Sequence, residues 1–120
     1  MHRLVWLILT CWIGIFAAPC VQAGEAQRGI GSVALTELPR EAQQTVALIR
    51  KGGPFPYKRD GIVFGNFEKR LPMHPRGYYH EFTVVTPGSR DRGTRRIIVG
   101  KTGELYYTDD HYESFRRVLQ

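Results

Sequence analysis

The sequence predicts an α+β fold, with one N-terminal helix packed on a twisted antiparallel β-sheet. Three observations lead there. Only one segment, near residues 39–50, carries an amphipathic helical period. After Pro54 the texture changes to aromatics, glycines and β-branched residues. The strand-like runs there follow one another with no second helical pattern between them, which is how a helix segregated to one face of an antiparallel sheet reads. No internal repeat, low-complexity tract or second domain interrupts the 120 residues.

The chain begins with a segment that does not read as fold. Met1–Arg3 is short and basic, and Leu4–Ala18 is almost wholly apolar. Val21 and Ala23 then stand at the −3 and −1 positions of a cleavage site before Gly24. This is the pattern of a secretory signal peptide over residues 1–23, which predicts export and a mature domain over 24–120. A membrane anchor fits less well: the apolar run is shorter than the roughly 20 residues a span needs, and no basic stop-transfer cluster follows. A lipid anchor on Cys20 is disfavoured by Pro19 beside it. Both cysteines, Cys11 and Cys20, fall in the segment to be removed, so the mature domain is expected to fold without a disulfide.

Residues 24–32 are polar and contain glycine, and read as a flexible lead. Pro39 suits a first helical position, Glu41 the positive N-terminal end, and Arg50-Lys51 the negative C-terminal end. Ala42, Val46 and Ile49 share a face, and Gly52-Gly53-Pro54 stops the helix. Ile62–Phe64 is a short strand. Tyr78–Thr86 is the strongest strand and is closed by Pro87-Gly88. Arg95–Val99 alternates Ile97 and Val99 against Arg96 and Ile98, while Leu105–Tyr107 and Phe115–Leu119 are weaker strands.

Without Arg3, 16 of the 17 basic residues face 11 acidic ones, a mature charge of +5. Such a balance favours polyanions such as RNA, DNA, an anionic membrane or an acidic polysaccharide, although solubility alone also explains it. Within the strongest strand stands Glu81. A strand carboxylate usually faces solvent, because burying it unpaired is costly. Arg90, Arg92, Arg95 and Arg96 crowd the following turn and strand, with guanidinium forks suited to phosphate oxygens. Alternation sends Arg95 and Arg96 to opposite faces, so only some of the four converge; the plain alternative is a solvated hairpin tip. His111 lies in the loop Asp109–Tyr112, where acidic and aromatic neighbours would favour its protonated form and a general-acid role, although a lone loop histidine is more often ordinary. No metal-ligand spacing, glycine-rich nucleotide loop or Gly-x-Ser-x-Gly elbow is present, so neither metal nor cofactor is expected. A Glu, a His and several Arg suit metal-free phosphoryl chemistry on RNA.

From about Leu38 to Phe115 the chain resembles the small microbial guanyl-specific ribonucleases, the group that includes barnase, and most of all their compact secreted bacterial branch. The resemblance rests on Gly53-Pro54-Phe55-Pro56-Tyr57, Asp60-Gly61-Ile62-Val63-Phe64, Asn66, Glu68, Leu71-Pro72 and Gly77-Tyr78-Tyr79-His80-Glu81. It continues through Thr86-Pro87-Gly88, Arg92-Gly93-Thr94-Arg95-Arg96-Ile97-Ile98 and Tyr106-Tyr107-Thr108 into Asp110-His111-Tyr112. It implies that Glu81 takes the proton from the ribose 2′-hydroxyl and His111 protonates the leaving 5′-oxygen. The product is a 2′,3′-cyclic phosphate, later hydrolysed with the roles reversed. Single-stranded RNA, which supplies its own nucleophile, would be the substrate. Arg92 and Arg96 would stabilise the phosphoryl oxygens, Arg95 would belong to the framework, and Tyr112 would touch phosphate or base. The resemblance also implies that Glu68 accepts from guanine N1–H and the exocyclic amine. Backbone N–H groups from Phe64 through Gly65 to Asn66 would donate to O6, Phe64 would pack on the base, and Ile62 would complete the wall. A monomer, and a barstar-type inhibitor protein as partner, are implied as well.

Three departures from the family pattern stand out. Gly65 and Phe67 replace polar or basic residues, which adds flexibility and another stacking surface beside Glu68. Val33 and Ala34 occupy the place of a cysteine that staples close relatives, a bridge worth about 2–5 kcal/mol in small secreted domains. A non-catalytic polyanion-binding module of the same fold is the main alternative, and the same chemistry used as a secreted toxin is another. A DNA-binding or membrane-surface protein would explain the charge but not the order of Glu, Arg and His.

Overall fold

The computed structural model describes residues 29–120; the expected signal peptide and the start of the flexible lead lie outside them. The elements are β1 (Gly31–Ala34), a 3-10 turn (Leu35–Glu37), α1 (Arg40–Lys51), β2 (Ile62–Phe64), β3 (Tyr79–Thr83), β4 (Arg96–Gly100), β5 (Leu105–Thr108) and β6 (Arg116–Leu119). They build one helix on a six-stranded sheet of order β1-β6-β5-β4-β3-β2.

Pro39 is the residue before the helix rather than its first turn. Its carbonyl accepts from Ala42 and Gln43, so the ring's missing N–H is harmless. Gly52 ends the helix at φ 89°, a left-handed conformation open to glycine, and donates to the Leu48 carbonyl at 2.9 Å. The buried face carries Ala42, Thr45 and Val46, with Ile49 packed beside them. Thr45 donates its hydroxyl to the Thr83 carbonyl at 3.0 Å, tying α1 to β3.

Four strand pairs are antiparallel as expected, but β1 runs parallel to β6, so the sheet is mixed. Gly31 and Ser32 therefore belong to a strand and not to a flexible lead. Both are exposed, and only Val33 turns into the core, so no alternation was there to read. Their backbone pairing covers the edge that β6 would otherwise leave open. The strand expected over 78–86 is regular only from Tyr79 to Thr83, although Val84 still donates to Arg95 at 3.0 Å.

Apolar clusters cover both faces of the sheet. On the helix side lie Leu38, Ala42, Val46, Val84, Ile97 and Tyr107. On the other side Leu71, Tyr79, Ile98, Tyr106 and Phe115 form a second cluster. Successive residues of a strand point to opposite faces. Tyr79, Glu81 and Thr83 therefore face the second side, where the loops after β2, β3 and β5 gather.

Candidate active site

Glu81 lies between Ile62 on β2 and Ile98 on β4 in register, and is only 6% exposed. The solvated-face reading is thus excluded for it. Burying a carboxylate is costly unless its oxygens are satisfied, and both are. The Arg92 guanidinium donates to Oε1 at 3.2 Å, and the Tyr112 hydroxyl donates to Oε2 at 2.8 Å. Arg92 is held at a second point, because its Nε donates to the Thr83 hydroxyl at 3.1 Å.

Arg96 is buried beside this pair. Its Nη1 donates to the carbonyls of Arg95, Gly93 and Arg92 at 2.8, 3.0 and 3.4 Å, so the guanidinium props the arginine-rich turn from within. Its Nε is the single buried side-chain polar atom without a partner among the described residues. An orphaned donor of this kind is unusual in a folded protein and suits an anion arriving from outside. Arg95 points the other way, to the Val85 carbonyl at 2.7 Å and toward Glu41 of α1 at 3.8 Å. Arg90 is exposed. Two of the four arginines therefore converge, as strand alternation requires.

The turn after β5 delivers His111 and Tyr112 in left-handed backbone conformations, φ 57° and 71°, which are sparsely populated outside glycine. A hydrogen-bond network holds them there. Asp110 accepts from the Thr108 hydroxyl at 2.9 Å and from the Ser114 N–H and hydroxyl. The Tyr112 N–H reaches Thr108 at 3.1 Å, and the His111 N–H reaches the Thr94 carbonyl at 3.0 Å. The Ser114 hydroxyl, above all, holds the Asp110 carboxyl below its ordinary range. The expectation that acidic neighbours face the histidine does not hold. Asp110 turns back into the loop, Asp109 reaches only toward Arg116, and no described carboxylate pairs with His111. The imidazole is exposed, with its ring 4.9 Å from that of Tyr112. Burial, followed by the Glu81 hydrogen bond, pushes the Tyr112 phenol up, so it remains a donor to Glu81.

Beside Glu81 opens a cavity of about 280 Å³ lined by Ile62, Phe64, Gly65, Phe67, Glu68 and Tyr112, among others. Phe64 forms one wall, with its ring 5.1 Å from Tyr112 and 5.9 Å from Phe115. Asn66, at φ 51°, spends its side chain on the loop: its amide donates to Leu71 at 3.0 Å and accepts from it at 3.1 Å. Its contribution to a ligand is therefore backbone geometry. The N–H groups of Gly65, Asn66 and Phe67 have no acceptor among the described residues and remain available. Glu68 is not buried; its side chain is 67% exposed and ion-paired with Arg70. Phe67 is 82% exposed, and a Cβ on Gly65 would lie 2.5 Å from its ring. The two departures from the family pattern are thus one feature, a bare backbone on which an aromatic ring rests.

Sequence reasoning missed several supports. Asp60 accepts from the Thr83 N–H at 2.7 Å, and Gly61 donates to the Glu81 carbonyl at 2.7 Å, fixing the backbone at the site. Arg70 donates to the Tyr112 carbonyl at 3.1 Å as well as to Glu68. A basic residue two places from Glu68 was the only trace of this in the sequence.

A family model described as ribonuclease matches residues 21–119. Guanyl-specific ribonuclease Sa3 of Kitasatospora aureofaciens is 58% identical over 92 residues, covering 76% of this chain and 65% of that protein. Guanyl-specific ribonuclease St of Saccharopolyspora erythraea is 56% identical over 102 residues, 85% of this chain and 97% of that one. A crystal structure of ribonuclease Sa2 with guanosine-2′-cyclophosphate is 57% identical, covers 75% of this chain and 96% of its own, and superposes with a TM-score of 0.73. With the fold, the buried Glu81–Arg92 pair and the matching motifs in agreement, this chain belongs to the microbial guanyl-specific ribonucleases.

Proposed function

We propose that the chain is an exported endoribonuclease that cleaves single-stranded RNA after guanosine. The ribose 2′-hydroxyl attacks the adjacent phosphorus, the 5′-oxygen leaves, and the 2′,3′-cyclic phosphate formed is then hydrolysed. The observation that carries this reading is the buried Glu81 held between Arg92 and Tyr112, with the unpartnered Nε of Arg96 beside it. Glu81 acts as the general base on the 2′-hydroxyl. Arg92 and Arg96 stabilise charge growing on the phosphoryl oxygens, where preformed donors count most. His111, exposed and with its ring 4.9 Å from that of Tyr112, is the acid for the leaving oxygen.

Base choice follows from the neighbouring cavity. Guanine O6 accepts from the free backbone N–H groups between Phe64 and Phe67, and its N1–H and amine donate to Glu68. Adenine lacks that pair of donors and presents a lone pair to the carboxylate, so the site rejects it through an unmade interaction. Since Glu68 is open to solvent, its desolvation comes with the base rather than before it. Export rests on the leader-like residues 1–23, and the net positive charge suits an acidic inhibitor of the barstar type.

The assignment of roles is tested with two guanosine 3′-phosphodiesters, one carrying a poor leaving group (uridine) and one a good one (4-nitrophenol). A good leaving group needs no acid. The His111→Ala defect should therefore shrink with the nitrophenyl ester, while the Glu81→Gln defect persists on both. Equal His111→Ala defects on the two esters would remove His111 from the acid's role.

A further inference from the structure

Arg70 stands at the mouth of the cavity with no part in the chemistry itself. Its pair with Glu68 is exposed on both sides, 38% and 67%, and an isolated pair of that kind contributes little. Arg70 is not isolated, however. The same Nη1 that donates to Glu68 also donates to the backbone carbonyl of Tyr112 at 3.1 Å, a residue 42 positions along the chain. Tyr112 in turn holds Glu81 through its hydroxyl, and its ring packs on Phe64. A continuous path of contacts therefore runs from the base-reading loop across the mouth of the cavity to the catalytic carboxylate.

We propose that Arg70 is a positioning residue for base specificity: it fixes the Glu68 carboxylate toward the bound base and ties that carboxylate to the Tyr112 turn. The inference rests on Glu68 reading the base, as argued above. A carboxylate has about four lone-pair sites, so Arg70 can hold one of them on Oε2 while guanine N1–H and the amine take one on each oxygen. Arg70 thus shares Glu68 with guanine and does not compete for it. For adenine the same fixation is adverse, because a pinned carboxylate cannot swing away from the N1 lone pair. Freed from Arg70, Glu68 is exposed enough to turn to solvent, and guanine loses a preformed acceptor just as adenine loses the repulsion. Both changes narrow discrimination.

The test compares kcat/KM on GpU and ApU for the purified protein and its Arg70→Met, Arg70→Lys, Glu68→Gln and doubly substituted variants, with circular dichroism to verify folding. Arg70→Met should lower the GpU/ApU ratio about tenfold, the loss expected from one hydrogen bond to a charged group, and mainly through GpU. Arg70→Lys, with enough N–H groups for both acceptors, should restore most of the ratio. Arg70→Met should add little in the Glu68→Gln background, because a coupled pair is not additive. An unchanged ratio in Arg70→Met beside a collapsed one in Glu68→Gln would overturn the role of Arg70 and leave the base reading standing. A ratio unchanged in Glu68→Gln itself would remove the base reading and this inference together. Equal losses on GpU and ApU would reduce Arg70 to general attraction for RNA or support of the turn, and would overturn it too.

Discussion

Replacing Glu81 by Gln should separate chemistry from stability. The side chain is 8% exposed and has two partners, Arg92 at 3.2 Å and the Tyr112 hydroxyl at 2.8 Å. Gln is nearly isosteric. Its carbonyl can keep the Arg92 bond, and its amide can donate to the Tyr112 oxygen once that hydroxyl rotates. What disappears is the charge, and with it an ion pair on the Arg92 side chain, which is 21% exposed. That loss is offset in part by no longer burying a carboxylate. We therefore expect a stability change of about 1 kcal/mol or less, a Tm shift of roughly 4–8 °C at most for a domain of this size. An amide cannot accept the 2′-hydroxyl proton, so turnover should fall about 10²–10⁴-fold, the usual consequence of losing a positioned base. Steady-state cleavage of GpU, run beside a thermal melt of the same sample, reads both numbers. GpU turnover within threefold of the parent by folded Glu81→Gln would refute the base assignment. An activity loss no larger than the unfolded fraction would refute it as well.

Further outcomes follow from the same geometry. His111→Ala should lose about 10²–10⁴ in GpU turnover with little change in melting, since the imidazole is exposed. For Asp110, the folded carboxyl lies below its ordinary value, chiefly through the Ser114 hydroxyl. Its stabilising effect is therefore present above the unfolded carboxylate range of about pH 4 and is lost as pH falls through the lower folded value. Melts of Asp110→Asn should accordingly differ most from the parent at neutral pH and converge with it in acid; a constant difference across pH would contradict this. Gly65→Ala places a methyl where the Phe67 ring rests, and that exposed ring can swing aside. The change should cost less than about 1 kcal/mol and should alter KM for GpU more than kcat.

Much of the site was legible because its chemistry needs particular residue types at readable positions. A strand glutamate, alternating arginines and a loop histidine follow one another in the order Glu81, Arg92, Arg96, His111. Strand alternation alone separated Arg96, which faces Glu81, from Arg95, which braces Val85 and α1. What stayed hidden was carried by the backbone or by partners distant in sequence. The parallel pairing of β1 with β6 depends on main-chain bonds beneath two exposed residues. Asp110 looked like a partner for His111 but serves Thr108 and Ser114, because the left-handed turn directs its carboxylate inward. Glu68 lies at an open mouth where Arg70 meets it, a pairing the sequence did not reveal. At the place of Val33 and Ala34, Val33 pairs in register with Val118 and both side chains lie in the core.

The central claim is guanine-directed cleavage that the protein's own side chains carry out, and one experiment tests it most directly. The purified protein is incubated with GpU or ApU in excess EDTA, and products are followed by chromatography. Rapid conversion of GpU to guanosine 2′,3′-cyclic phosphate and uridine is expected, with ApU far slower and EDTA without effect. Equal cleavage of the two dinucleotides would contradict the base-reading role of the Phe64–Glu68 loop, and no cleavage of either by folded protein would contradict the catalytic account as a whole.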